Sequence, residues 1–317
     1  MNSCASRCRG IFALCLATLA LAACDTSSGG SADGDGPVDA ATATDGALAW
    51  EPFCRGARPD VQVCRRNLVI AHRGGGRLAP EETLEAFNAA RMIGADVLET
   101  DVRSTSDGVL VLMHDETVDR TTDGTGAIHA KTWAEVEALD AGYRYTSDGG
   151  KTFPFRGKGV RVSRLDQVLA ALPDASFSVE IKQSSPPIVE EVVRIIGAAP
   201  NPARVLIASF DDNVIVDVRA KRPGGLTSFA LGETTRFVAA TVDTPWTPPC
   251  PVLQAPLALA EADRLETAHH FGVRMHVWTI NDRPTMESLF RLGVDGIMSD
   301  DPALLFEVRR SLGLKPE

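Results

Sequence analysis

From residue 68 onward, short runs rich in valine, isoleucine and leucine alternate with segments of helical period, and this rhythm constrains the fold more than any other feature. The strand candidates are 68–72, 97–102, 109–113, 177–181, 205–208, 226–230, 253–255, 275–280 and 295–298. Helical segments fall between most of them, for instance 83–93, 165–172, 187–196, 260–271 and 284–292. Strands that alternate with helices pair in parallel and need helices to cover them. About 250 residues of this kind fit one (β/α)8 barrel, with an open doubly wound sheet as the rival architecture. Residues 116–162 interrupt the rhythm with a glycine-rich stretch and a short helix near Trp133, and they read as a small inserted subdomain over the C-terminal mouth of the barrel. The composition, 44% hydrophobic and 23% charged, excludes disordered, collagen-like and polytopic membrane proteins. A net charge of −10 speaks against a nucleic-acid partner, since phosphate-backbone binding needs excess base.

The N-terminus is an address. Arg7 and Arg9 precede a continuously apolar or small run, residues 11–23, that ends in Leu21-Ala22-Ala23-Cys24. This is the layout of a secretory signal, and its end resembles the bacterial lipobox, in which the cysteine becomes the lipidated first residue. Residues 1–23 are thus expected to be a signal peptide, with an ordinary cleaved signal as the alternative to lipidation at Cys24. The next stretch is small, polar and acidic, with five aspartates and no base between residues 25 and 50. Residues 24–53 therefore read as a solvated tether spanning roughly 25 to 30 Å. The expected location is the bacterial cell envelope, periplasmic or outer surface, with the membrane as partner through the anchor and residues 54–317 as the barrel domain.

Of seven cysteines, Cys4, Cys8 and Cys15 leave with the signal. Cys54 and Cys64, close in sequence in an exported chain, read as a local disulfide, although both staying free or one pairing with Cys250 are the alternatives. No C-x-x-C or H-E-x-x-H spacing supports a zinc site.

The chemistry gathers at strand ends. The first strand runs into His72-Arg73-Gly74, the second carries Glu99 and Asp101 on one face, the third ends in His114-Asp115, and the fourth places Glu180 and Lys182 on one face. Val97 shares the Glu99 face one step deeper, giving an apolar floor and an acidic mouth. Three carboxylates brought together raise one another's pKa unless a cation lies between them, and oxygen ligands select a hard ion such as Ca²⁺ or Mg²⁺. Such a cluster flanked by two histidines, an arginine and a lysine is what phosphodiester cleavage requires. Any one of these residues alone is more often a satisfied polar group; it is the four complementary strand ends together that point to a site.

At these residues the chain resembles the glycerophosphodiester phosphodiesterase family, in its bacterial lipoprotein form. The matching motifs are His72-Arg73-Gly74, Pro80-Glu81-Glu82-Thr83, Gly94-Ala95-Asp96 running into Glu99-x-Asp101, Thr105-x-Asp107-Gly108, His114-Asp115, Arg120-Thr121-Thr122-x-Gly124 and Glu180-Ile181-Lys182. They continue through Ser209-Phe210-Asp211, Val277-Trp278-Thr279-Ile280-Asn281 and Gly293-Val294-Asp295-Gly296 to Asp300-Asp301-Pro302. The resemblance implies a TIM barrel with a small insertion and hydrolysis of glycerophosphodiesters to sn-glycerol 3-phosphate and an alcohol. It makes His72 and His114 the acid/base pair, Glu99, Asp101 and Glu180 the ligands of one divalent metal ion, and Arg73 and Lys182 the holders of phosphate oxygens. It also implies attack by the substrate's own glycerol hydroxyl through a cyclic phosphate, with direct attack by water as the competitor, and a possible second role for His114 beside the metal.

Two positions depart from the family pattern. Glu82 stands where asparagine is usual, an added carboxylate expected near the mouth, and Val162-Ser163-Arg164-Leu165 replaces the usual Pro-Thr-Leu. Trp278, matched on both sides, is expected to pack on the glycerol carbons rather than in the core. His269, His270 and His276 read as structural, while Trp133 and Phe153 either gate the entrance or hold the insertion together. The rival functions are a lysophospholipase D-type reaction on lysophospholipids, which a longer apolar groove beside the mouth would favour, and a catalytically silent binding lipoprotein. A retaining glycosidase using Glu99 and Glu180 would leave His72, Arg73 and His114 unexplained.

Overall fold

The computed structural model describes residues 62–317. The signal segment, the tether, Cys24 and Cys54 lie outside the described residues. Eight strands are present among them: β1 (Leu68–Ala71), β2 (Val97–Ser104), β3 (Leu110–Leu112), β4 (Phe177–Ile181), β5 (Val205–Ala208), β6 (Val252–Pro256), β7 (Arg274–Trp278) and β8 (Gly296–Ser299). The accompanying helices are α1 (Leu84–Met92), α2 (Trp133–Glu137), α3 (Leu165–Ala171), α4 (Val189–Ala198), α5 (Asp212–Lys221), α6 (Leu231–Ala239), α7 (Ala262–His270), α8 (Arg283–Leu292) and α9 (Pro302–Ser311).

Seven strands run parallel in the order β5-β4-β2-β1-β8-β7-β6. The segment expected to be a strand at 226–230 forms only single parallel bridges, Ile207 to Thr227 on one side and Ser228 to Val252 on the other. Those bridges join β5 to β6 and complete a ring of eight, so the α/β architecture is the TIM-like barrel and not the open sheet. The candidate strand at 109–113 differs from expectation: β3 pairs antiparallel with β2, and lies off the ring. A hairpin between Ser104 and Leu110 reverses the chain, which a short apolar run does not reveal by itself.

Alternation along the strands separates two cores. Leu68, Ile70, Val97, Leu206, Leu226, Val252 and Met298 fill the barrel interior, and Val63 and Cys64 from a preceding 3-10 turn join them. Cys64 is disulfide-bonded, to a partner outside the described residues, and Cys250 is free and buried. The opposite face packs on the helices in two clusters, one around Phe87, Leu98, Phe177 and Val192, the other around Leu253, Met275, Phe290 and Leu305. Buried ion pairs tie these layers: Asp96 accepts from Val69 N at 2.8 Å and pairs with Arg309 of α9, while Asp295, fully buried, binds His269 Nε2 at 2.8 Å and Arg274 at 3.2 Å. The carboxylates of two motifs are therefore structural, and so is His269.

The insertion has a core of its own, built from Val111, Met113, Val118, Ile128, Val136, Ala141, Val160 and Val162. It thus recruits β3, upstream of residue 116. Asp107 accepts from Trp133 N at 2.9 Å and fastens α2 to the β2–β3 turn, and Tyr145 Oη donates to Arg77 O at 2.8 Å in the loop after β1. Trp133 packs on this core beneath Arg164, and Phe153 lies beneath Arg156, whose guanidinium carbon is 3.8 Å from the ring centre. No described helix is long and apolar enough to cross a membrane.

Candidate active site

Register brings the carboxylates together. In the β2–β4 ladder Asp101 is the partner of Glu180, and Glu99 precedes Asp101 by two residues on the same face. One oxygen from each of Glu99, Asp101 and Glu180 lies within 4.8 Å of the others. Glu99 and Asp101 are almost fully buried, at 3% and 1% exposure. Burial first, and then the charge of Asp101, pushes the Glu99 carboxyl up to about 8, and the same causes raise Glu180. Asp101 Oδ2 is buried with no hydrogen-bond donor. Three convergent carboxylates, one of which keeps a buried oxygen without a hydrogen bond, and a crowding of negative charge are the conditions a hard divalent cation relieves, so the residues fit a metal ion.

Two basic side chains border the cluster. Lys182 Nζ lies 3.0 Å from Glu180 Oε1 and 3.5 Å from Asp101 Oδ1. Arg73 Nε lies 3.4 Å from Asp101 Oδ2, and its Nη1 donates to Glu81 Oε1 at 3.1 Å. Arg73 sits in the left-handed region at φ 51° and is followed by Gly74 at φ 77° and Gly75 at φ 89°. This turn aims the Arg73 backbone N–H at Glu99 Oε2, 2.9 Å away. Gly74 cannot carry a side chain, because a Cβ there would stand 2.9 Å from the Phe87 ring.

Each histidine is held through Nδ1. His72 Nδ1 is 2.6 Å from Asp300 Oδ1, and Asp300 is fixed in turn by Asn281 Nδ2, which donates at 2.6 Å. His114 Nδ1 is 2.7 Å from Asp115 Oδ1. An ionised carboxylate only accepts, so Nδ1 carries the proton in both rings and Nε2 is left for chemistry. Burial lowers the His72 pKa, but the Asp300 hydrogen bond and the Glu99 charge outweigh it and leave it raised. For His114 burial prevails over the bond to Asp115, and the pKa is lowered.

Trp278 ends β7, half-buried over the barrel interior, and meets Phe210 edge-on with ring centres 5.9 Å apart. His276, two residues deeper, is buried, and burial pushes it down to about 4, so it stays neutral. Glu82 lies beside the carboxylate cluster but does not line its open side. It is buried at 4% exposure, accepts from Asp101 N at 2.9 Å and from the Thr100 hydroxyl, and so braces the β2 backbone behind the ligands. Strand-end reasoning missed Asp300, Asn281, Glu81, Asp115 and Arg120 as members of the site. Their motifs were visible, but partners that come from loops far apart in sequence leave no periodic signal.

A barrel whose mouth joins three carboxylates, two carboxylate-held imidazoles and two cations defines a class of phosphoryl-directed enzymes. Residues 72–304 match the model of the glycerophosphoryl diester phosphodiesterase family, and the chain belongs to that family. It is similar to the glycerophosphodiester phosphodiesterase of Caldanaerobacter subterraneus subsp. tengcongensis, 34% identical over 261 residues that cover 78% of this chain and 100% of the relative. A glycerophosphodiester phosphodiesterase of Bacillus subtilis is 28% identical over 264 residues, 77% of this chain and 87% of its own length. Among solved structures, the glycerophosphodiester phosphodiesterase from Agrobacterium tumefaciens superposes with a TM-score of 0.64 at 27% identity, covering 75% of this chain and 98% of that one.

Proposed function

We propose that this chain hydrolyses glycerophosphodiesters to sn-glycerol 3-phosphate and an alcohol. The observation that carries the reading is the convergence of Glu99, Asp101 and Glu180 between two histidines whose Nδ1 atoms are both held by carboxylates. Glu99, Asp101 and Glu180 would hold one divalent ion, Ca²⁺ or Mg²⁺, which when bound supplies positive charge to the phosphoryl oxygens. Arg73 and Lys182 bind the remaining phosphate oxygens from the two sides of the cluster. His114, with its lowered pKa, takes the proton of the attacking hydroxyl, and His72, with its raised pKa, gives one to the departing alcohol. Trp278 covers the glycerol carbons.

A second substrate class has its own support. Phe210, Leu231 and Leu257 are 52%, 43% and 47% exposed, and they follow β5, the 226–230 segment and β6, which are neighbours in the ring. An apolar rim on that side of the mouth suits the acyl chain of a lysophospholipid. Phosphorus NMR of the reaction decides between them. Glycerophosphocholine should give the glycerol 3-phosphate resonance and free choline; phosphocholine as product, or no reaction while lysophosphatidylcholine is cleaved, would overturn the first reading.

The apolar run ending in Leu21-Ala22-Ala23-Cys24 supports a lipid anchor in the bacterial envelope, with residues 24–53 as tether and residues 54–317 as the barrel domain. Cys64 is disulfide-bonded, and Cys54 is the partner we assign. Cys24→Ser should move the enzyme from the membrane to the soluble fraction, and retention in the membrane would refute the anchor.

A further inference from the structure

We propose that Arg120, in the inserted subdomain, is a positioning residue that sets His114 and Arg73 together through two carboxylates; this rests on the phosphodiesterase reading above. Its Nε and Nη2 donate to Asp115 at 2.6 and 3.2 Å, and its Nη1 and Nη2 donate to Glu81 at 2.8 and 2.7 Å. Both partners reach the reacting groups. Asp115 Oδ1 is the atom that holds His114 Nδ1, and Glu81 Oε1 is the atom that accepts from Arg73 Nη1. One guanidinium thereby joins the acid/base side of the mouth to the phosphate side.

An isolated surface ion pair fixes little, but a planar fork closed on two carboxylates at once has only one geometry. Nη2 bonds Glu81 Oε1 and Asp115 Oδ1 at the same time, so these two anionic oxygens are neighbours only because the guanidinium lies between them. Without it the carboxylates repel one another. Asp115 turns away from His114, whose ring loses its orientation, and Glu81 releases Arg73 toward Asp101, 3.4 Å from Arg73 Nε. Arg120 itself touches no reacting atom. It also gives a role to an insertion that supplies no metal ligand: its first turn, after β3, carries the bolt that locks it to the loop after β1.

The test uses the full-length enzyme with glycerophosphocholine and the variants Arg120→Gln, Arg120→Lys, Asp115→Asn, Glu81→Gln and the double Arg120→Gln/Asp115→Asn. Arg120→Gln should lower kcat by about 10- to 100-fold and raise KM as well. Asp115→Asn should reproduce the kcat part and Glu81→Gln the KM part, and the double variant should have no lower kcat than the worse single one. Lysine, a point charge, cannot bridge both carboxylates, so Arg120→Lys should keep the fold and recover at most one of the two parameters. Values for Arg120→Gln within about twofold of wild type, full recovery of both parameters by lysine, or multiplicative losses in the double variant would overturn the proposal. Should Arg120→Gln fail to fold, the lysine variant carries the kinetic test. Nitrogen-15 NMR of the histidine rings provides a readout independent of turnover: His114 should show the Nδ1–H tautomer in wild type and lose it in Arg120→Gln. An unchanged His114 ring would reject Arg120's role, whereas an inactive wild type with the predicted ring change would reject only the substrate assignment.

Discussion

His72 and His114 each give one ring nitrogen to a carboxylate, yet their surroundings move them in opposite directions from the same ordinary value of 6.5. The base must be free of its proton and the acid must keep one. Activity should therefore rise as pH climbs through the lowered pKa of His114, below 6.5, and fall as pH passes the raised pKa of His72, above 6.5. Asp300→Asn replaces the ionised partner that raises His72 against the pull of burial with a neutral amide. The alkaline limb of the pH–kcat profile should then move to lower pH while the acid limb stays; an unmoved alkaline limb would separate Asp300 from the chemistry. At this scale the sequence disclosed the residues that end strands, because alternation puts Glu99 with Asp101 and Glu180 with Lys182. It did not disclose the groups that aim them. Asp300 is 228 residues from His72, and Glu81 is 39 from Arg120, separations that only the closed barrel brings within hydrogen-bond distance. Glu82 was legible as an unusual carboxylate but not as a buried one, since its place behind Asp101 depends on a left-handed turn, φ 62°, that sequence periodicity does not report.

At the scale of elements, the parallel register of β2 and β4 is what turns separate acidic residues into one cluster, and a slip of one residue would face them into the helical layer. The strands of the ring were legible because each is a short buried run with helices on either side. β3 was not distinguishable from them, because an antiparallel strand packed under an insertion is as apolar as a barrel strand, and the 226–230 segment bridges its neighbours by single pairs. The insertion depends on a close backbone approach at Gly142, where a Cβ would stand 2.5 Å from Phe155 O. A carbonyl fixed in the chain cannot give way as a flexible side chain does. Gly142→Ala should loosen the insertion, seen as faster amide exchange over residues 118–162 with barrel protection retained, and should lower activity through the displaced Arg120. Unchanged exchange in the insertion would show that the two segments are not packed as described.

For the whole molecule, the barrel interior is apolar at its floor and ends in three carboxylates, two of which, Glu99 and Glu180, are pushed toward neutrality by burial and by the charge of Asp101. Glu99, raised to about 8, is the extreme case. Such a mouth is built for a cation, with Lys182 and Arg73 supplying only part of the compensating charge. The most direct measurement is release of glycerol 3-phosphate from glycerophosphocholine by the full-length enzyme, first after chelation and dialysis and then after adding back Ca²⁺ or Mg²⁺ separately. Loss of release on chelation and its return with one of the two ions is the predicted result. Release that persists unchanged in the chelated, folded enzyme would contradict the assignment of Glu99, Asp101 and Glu180 as metal ligands, and no release under either ion would contradict the hydrolysis of glycerophosphodiesters itself.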